Sequence, residues 1–279
     1  MPPTNTETEP RRVTVILGTG SSRRLLDLVL PLLGRDQSVE MKGVFLEEAG
    51  VQHAAELPFV QELCRVTFGV REFNSEHFER ALGLRMRTAQ RALAVLARRA
   101  GVVHSFQNVR GSAARLLWET ASSSDITIFE PVRRATVSLT ATTVVRRPLQ
   151  RISVLIDDFE SGSRALAAAQ QMADGHLHRL SILLTPAAAG DERVRELLLN
   201  SGRHDRPGQI LPLSAEGTPA LIGAIQSESP ELLVIGATGA FLTPDMIREL
   251  RERLRCPVCL VRRWEAEQIQ GPSGPEGSA

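Results

Sequence analysis

The sequence predicts an α/β protein of two tandem domains, each a five-stranded parallel sheet with helices on both faces. Three observations lead there. Short apolar runs alternate with helical stretches, as in a parallel sheet with crossover connections. The same succession is written twice, in the same order. The chain has 279 residues, 42% of them hydrophobic, enough for two cores of roughly 140 residues each.

Four pairs of blocks carry the doubling. Arg12-Val13-Thr14-Val15-Ile16-Leu17 matches Arg151-Ile152-Ser153-Val154-Leu155-Ile156, and Gly111-Ser112-Ala113 matches Gly217-Thr218-Pro219. Asp125-Ile126-Thr127-Ile128 matches Glu231-Leu232-Leu233-Val234, and Val144-Val145-Arg146-Arg147 matches Leu260-Val261-Arg262-Arg263. The first pair is 139 residues apart (13 to 152), the middle pairs 106 (111 to 217, 125 to 231) and the last 116 (144 to 260). The first copy is therefore longer before Gly111, by the size of one supersecondary unit, and shorter after its fourth strand. The copies set boundaries at 11–147 and 148–263, with an insertion at 47–73. Residues 1–10 and 264–279 are polar or rich in Gly, Pro, Ser and Glu, and are expected to be disordered.

The second copy is the cleaner. Ile152–Asp157 is a continuous apolar strand of the kind covered on both faces. Ser161 or Ser163 caps a helix to about Ala173. Leu180–Leu184, a helix at Asp191–Leu199 and Gln209–Leu213 follow. Thr218-Pro219 places a cap and a first-turn proline before the next helix. Leu232–Ile235 is the fourth strand. Thr243-Pro244-Asp245 starts a helix to about Arg255, and Val258–Val261 is the fifth strand. The first copy repeats the plan with Val13–Leu17, a helix at Ser22–Leu33 and a strand at Glu40–Leu46. Its insertion has Leu57-Pro58-Phe59-Val60 as an apolar kernel. A long helix runs from Asn74 or Ser75 to Arg99, stopped by Gly101, with Phe78, Leu82, Met86, Ala89, Leu93 and Leu96 on its core face.

Composition narrows the function. The net charge of +1 gives no global field to attract nucleic acid or an anionic membrane. No apolar run is long enough to span a bilayer, and the N-terminus lacks a signal core, so a cytoplasmic location is expected. Three cysteines do not make a disulfide framework. Neither a Gly-x-Ser-x-Gly elbow nor a Walker loop is present.

The ends of the second copy's strands carry a more specific signal. Asp157 closes its first strand, Gly236-Ala237-Thr238-Gly239 follows its fourth, and Cys256-Pro257-Val258 leads into its fifth. With the alternating architecture, these resemble the universal stress protein family in a tandem form, over roughly 11–147 and 150–263. The resemblance implies an adenine nucleotide alpha hydrolase-like, Rossmann-like unit. It also implies an ATP crevice in which Asp157 takes the ribose and Gly236 and Gly239 let the backbone approach phosphate. The family pattern of Gly-x-x-Gly, nine residues, then Gly-Ser or Gly-Thr fails here: the expected pair falls on Glu249-Leu250. In the first copy, strand four runs into Glu130-Pro131-Val132-Arg133, and strand one ends Gly18-Thr19-Gly20 without an aspartate. The expectation is that the first copy holds no ATP and the second holds it weakly or not at all.

The remaining constellations have plainer readings. Gly18-Thr19-Gly20-Ser21-Ser22 has Arg23 where a dinucleotide fingerprint needs its third glycine, and reads as a capped turn. Cys256 and Cys259 have redox spacing, but they open a strand, where residues three apart face opposite ways. His176 and His178 lack a third metal ligand. Arg133, Arg134, Arg146, Arg147 and Arg151 gather near the domain junction.

The sequence thus leads to a non-enzymatic regulatory or binding protein with degenerate nucleotide sites. The alternative is an ATP-binding switch using Asp157, Gly236 and Gly239. No metal site is expected. The partners expected are the two domains for each other, through Thr142–Arg146 and Val258–Arg262, then a second copy, and a protein of unknown identity.

Overall fold

The computed structural model describes residues 10–18, 23–33, 39–48, 53, 57, 59–63, 68–132, 149–201, 206–237 and 242–263. In chain order the first half gives β1 (Arg11–Leu17), α1 (Arg23–Leu33), β2 (Val39–Glu48), a small hairpin of β3 (Gln61–Leu63) and β4 (Val70–Glu72), α2 (Ser75–Ala100), β5 (Val103–Gly111), α3 (Ala113–Ser123) and β6 (Ile126–Phe129). The second half gives β7 (Ile152–Ile156), α4 (Phe159–Met172), β8 (Leu180–Leu184), α5 (Pro186–Gly190), α6 (Glu192–Ser201), β9 (Gln209–Pro212), α7 (Thr218–Glu228), β10 (Leu232–Gly236), α8 (Pro244–Arg253) and β11 (Val258–Val261).

The halves share one nine-stranded sheet in the order β5-β2-β1-β6-β11-β10-β7-β8-β9. Every pairing in it is parallel except one: β11 runs antiparallel to β6, with Val258 opposite Phe129 and Val261 opposite Ile126. On its other edge β11 pairs in parallel with β10. This corrects the expected seam. Both edges of Val258–Val261 are occupied, so Thr142–Arg146 cannot be its partner; those residues lie outside the described ones. The antiparallel seam also points the carboxyl ends of β6 and β10 to opposite edges of the sheet.

Alternation along the strands divides the interior in two. Val13, Val15, Ile126, Ile128, Ile152, Val154 and Cys259 face the core under α1, α2, α4 and α6. Ile16, Phe129, Leu155, Leu233, Ile235, Val258 and Leu260 face the core under α3, α7 and α8. Near-continuous burial of both faces explains the apolar runs read as strands.

The seam is held by Asp125, buried at the start of β6. Its carboxylate accepts from Arg12 N at 2.8 Å and from the Arg262 guanidinium at 3.1 Å, and its carbonyl accepts from the backbone of Arg262 and Arg263. Asp125 N donates to Arg12 O at 3.0 Å, and the corresponding Glu231 N donates to Arg151 O at 2.9 Å. Elsewhere between the halves, Arg251 of α8 pairs with Glu48 of β2, and Gln171 of α4 donates to Pro31 O in α1.

The local signals hold with small shifts. Asn74 caps α2 by accepting from His77 N, Gly101 ends it in the left-handed region (φ 72°), and Thr243 caps α8 by accepting from Met246 N. The cap of α4 is Asp158 rather than Ser161 or Ser163, and that of α7 is Gly217 (φ 98°) rather than Thr218. Leu93, Leu96 and Ala97 of α2 are buried, with Leu82, Met86 and Ala89 packed beside them. The insertion differs more. Leu57 and Phe59 of its expected kernel are exposed, and the hairpin closes through Phe73 N on Val60 O.

Candidate functional site

In each half the direction of strand addition reverses beside the first strand, and open α/β sheets bind ligands in the crevice beyond the strand ends there. In the second half this is the gap between the carboxyl ends of β7 and β10. Asp157 stands just past β7 and Gly236 ends β10, as the sequence predicts. Gly239 lies outside the described residues.

The first turn of α4 fills the space between them. The Ser161 hydroxyl lies 2.5 Å from Asp157 Oδ1 and 2.7 Å from Asp158 Oδ2, and Ser161 N donates to Asp158 Oδ1 at 2.8 Å. Asp158 N donates to Asp157 Oδ1 at 3.1 Å. A Cβ added to Gly236 would lie 2.5 Å from Ser161 Cβ and 2.6 Å from Ser161 O. One to Gly162 would lie 2.5 Å from Ile156 Cγ2. The two glycines therefore let helix backbone press onto strand ends. Gly236 is used for packing, and the surface that a phosphate would approach is covered by Ser161.

The electrostatics follow. A hydroxyl carries one proton and cannot donate to both carboxylates at once. Burial raises the Asp157 pKa above the usual carboxylate value, with the neighbouring Asp158 charge adding to it and the Ser161 hydrogen bond opposing it. Burial acts in the same direction on Asp158, but the backbone N–H and hydroxyl of Ser161 outweigh it and hold that pKa below the usual value. The N-terminus of α4 thus carries its own carboxylate cap. The nearest arginine of α4, Arg164, is turned to Arg262 O at 3.0 Å and to Glu160.

These residues do not fit a nucleotide triphosphate. Asp157 has one oxygen committed to Ser161 and the Asp158 backbone, the helix start is capped, and two carboxylates face any incoming anion.

In the first half, Gly18 stands where Asp157 does and Glu130 where Gly236 does. After β6, Pro131 is buried and Val132 N donates to Arg251 O at 2.8 Å, tying the chain to the end of α8. At the ends of β2 and β5, buried Glu47 accepts from Asn108 at 2.6 Å and from Arg110 at 2.5 Å. Sequence reading passed over this cluster because its members are 61 and 63 residues apart. The Gly18–Ser22 turn lies outside the described residues from Thr19 onward.

The other candidates resolve into structure. Cys256 and Cys259 are buried in separate cores on opposite sheet faces, and burial pushes their thiols up to about 11 and about 12. The His176 and His178 rings sit 5.4 Å apart. Among the described residues no group of three or more His, Cys, Asp or Glu side chains is assembled to hold a metal. No helix among them is long and apolar enough to cross a membrane. Arg151 donates to Glu228 O, while the other junction arginines singled out from the sequence, at 133, 134, 146 and 147, lie outside the described residues.

No family model matches the chain, and no curated protein matches it in sequence. Among solved structures it is similar to a universal stress protein from Archaeoglobus fulgidus DSM 4304, at 12% identity and a TM-score of 0.45, covering 90% of this chain and 98% of that one. It is also similar to a putative universal stress protein from Pseudomonas aeruginosa UCBPP-PA14, at 14% identity and a TM-score of 0.44, covering 90% and 93%. A third is a protein of unknown function from Pseudomonas aeruginosa PAO1, at 13% identity and a TM-score of 0.40, covering 90% and 92%.

Proposed function

We propose that this chain is a non-enzymatic regulatory or binding protein of the universal stress type, built from two repeated units whose nucleotide crevices no longer take ATP. The observation that carries the reading is Ser161, which sits against both Asp157 and Gly236. The role is carried by surfaces instead of a reacting centre, and the location is cytoplasmic. Calorimetric titration with MgATP tests it: no heat of binding is expected up to millimolar nucleotide. Micromolar binding would overturn it.

The second reading is an ATP-binding switch in the same crevice. It is favoured by the placement of Asp157 beyond β7, next to the glycine end of β10, at the reversal of strand order. Binding that Gly239→Arg abolishes would establish it. Incubation with ATP followed by product analysis separates both readings from a hydrolase or transferase, which should release no product above background.

A further inference from the structure

The exposed apolar surface is concentrated in one part of the molecule. Leu57, Phe59, Leu63, Phe68 and Val70 stand on or beside the β3–β4 hairpin, with Phe59 97% and Phe68 77% exposed. Both phenylalanines take a left-handed backbone conformation (φ 67° and 55°), an unfavourable one for an aromatic residue. The hairpin itself is close to neutral, since Arg71 pairs with Glu62 across it.

The hairpin leads directly into α2, joined by the Phe73–Phe78 ring contact at 5.6 Å. The outer face of α2 is strongly basic. Arg80, Arg87, Arg91 and Arg98 are all exposed and fall within an arc of about 40° on the helix, away from Leu93, along about 27 Å of its length. None of the four has an ion-pair partner among the described residues. The glutamates of α2, Glu76 and Glu79, are confined to its N-terminal turns. Exposed Leu84 and Val95 adjoin the arginine row. A net charge of +1 for the whole chain conceals this local excess, and the expectation of no membrane contact rested on that total.

We infer that the hairpin and the outer face of α2 form a docking surface for an anionic lipid bilayer. The arginines answer the headgroup charge, at about 1 kcal/mol for each basic residue near such a surface, and the protruding side chains enter the headgroup layer. A nucleic acid would satisfy the arginines but leave the leucine and valine side chains in water. A protein would need ready-made pockets for side chains that protrude. A fluid anionic interface accommodates both features, and the anionic inner leaflet is the one a cytoplasmic protein meets. The inference names a partner for the binding role proposed above, and it does not depend on the state of the crevice. Vesicle binding and ATP titration are separate readouts, so either can fail alone.

The test is sedimentation of the full-length protein with phosphatidylcholine vesicles, with and without phosphatidylserine. The expected result is sedimentation with the phosphatidylserine vesicles only, reversed at about 1 M salt, where the Debye length falls to ~3 Å. The triple variant Arg80→Glu, Arg87→Glu, Arg91→Glu should partition at least roughly 100-fold more weakly, and Phe59→Ser with Phe68→Ser should also release the protein. All five positions are exposed, and circular dichroism checks that the variants fold. Arg195→Glu, Arg253→Glu and Arg255→Glu impose the same net charge from the second half and should leave binding unchanged. The inference is overturned by no sedimentation of the wild type with anionic vesicles, by equal binding to neutral ones, or by equal loss in the second-half variant. Gel-shift of a duplex DNA or an RNA without vesicle binding would also overturn it.

Discussion

β6 and β10 hold the same place in their halves, each next to a first strand and each against β11, yet they end differently. β10 ends in Gly236, onto which Ser161 of α4 packs at a distance no side chain could tolerate. β6 ends in Glu130 and buried Pro131, and its chain turns to the carbonyl of Arg251. A strand end of one ancestral kind has thus been closed in two ways, by a helix pressed down from its own half and by a helix of the opposite half. Loss of a phosphate cradle does not require losing its glycine: Gly236 remains, and has become a packing contact.

The strand between them offers the largest test. Leu260→Pro in β11 removes an N–H and introduces a ring at the centre of the sheet. It is expected to cost about 3 kcal/mol or more and to unfold both halves together in urea. Two separate transitions would show that the shared strand does not couple them. Next is Gly236→Val, expected to destabilise by about 3 kcal/mol because its Cβ meets helix backbone. Glu130→Ala at the corresponding position should cost less than ~1 kcal/mol. Equal costs in urea unfolding would remove the contrast drawn between the two ends.

Asp157→Asn is a smaller effect with a definite sign. The folded-state pKa of Asp157 is raised above its unfolded value, so its contribution to stability is present at low pH and lost as pH rises through the folded pKa. The amide should therefore raise Tm at neutral pH, by the equivalent of roughly 0.5–1 kcal/mol. The gain should disappear below about pH 4, near the unfolded aspartate pKa. Asp158, with its lowered pKa, runs the other way and loses its contribution on acidification. A gain that persists at low pH would remove burial of the Asp157 charge as its cause. The smallest expected effect is at the thiols. Peptide mapping after native alkylation at neutral pH should find Cys256 and Cys259 unmodified, and both labelled after unfolding.

Much of this was legible in the sequence. Where a signal is local, the residues state it: the caps of α2 and α8, the run of strands in the second half, and the opposed faces of Cys256 and Cys259. What escaped depends on distance in space. Four-residue apolar runs such as Ile126–Phe129 and Val258–Val261 say that a strand is buried, but not which neighbour it takes. Leu57-Pro58-Phe59-Val60 looked like core because it is apolar, and hydrophobicity alone cannot separate a core segment from a protruding one. At the crevice, Asp157 and Gly236 were found by their position after strands. The fit of Ser161 between them is a matter of tenths of an ångström, invisible in a string of letters.

The place of β11 also sets an order in time. During synthesis β6 leaves the ribosome about 130 residues ahead of the strand that will cover its open edge, an interval on the order of ten seconds. Until then the nascent first half presents an apolar strand with unbonded amides and carbonyls. A chaperone that shields that edge, or a pause that prolongs the wait, would decide how much of each newly made chain reaches its finished form.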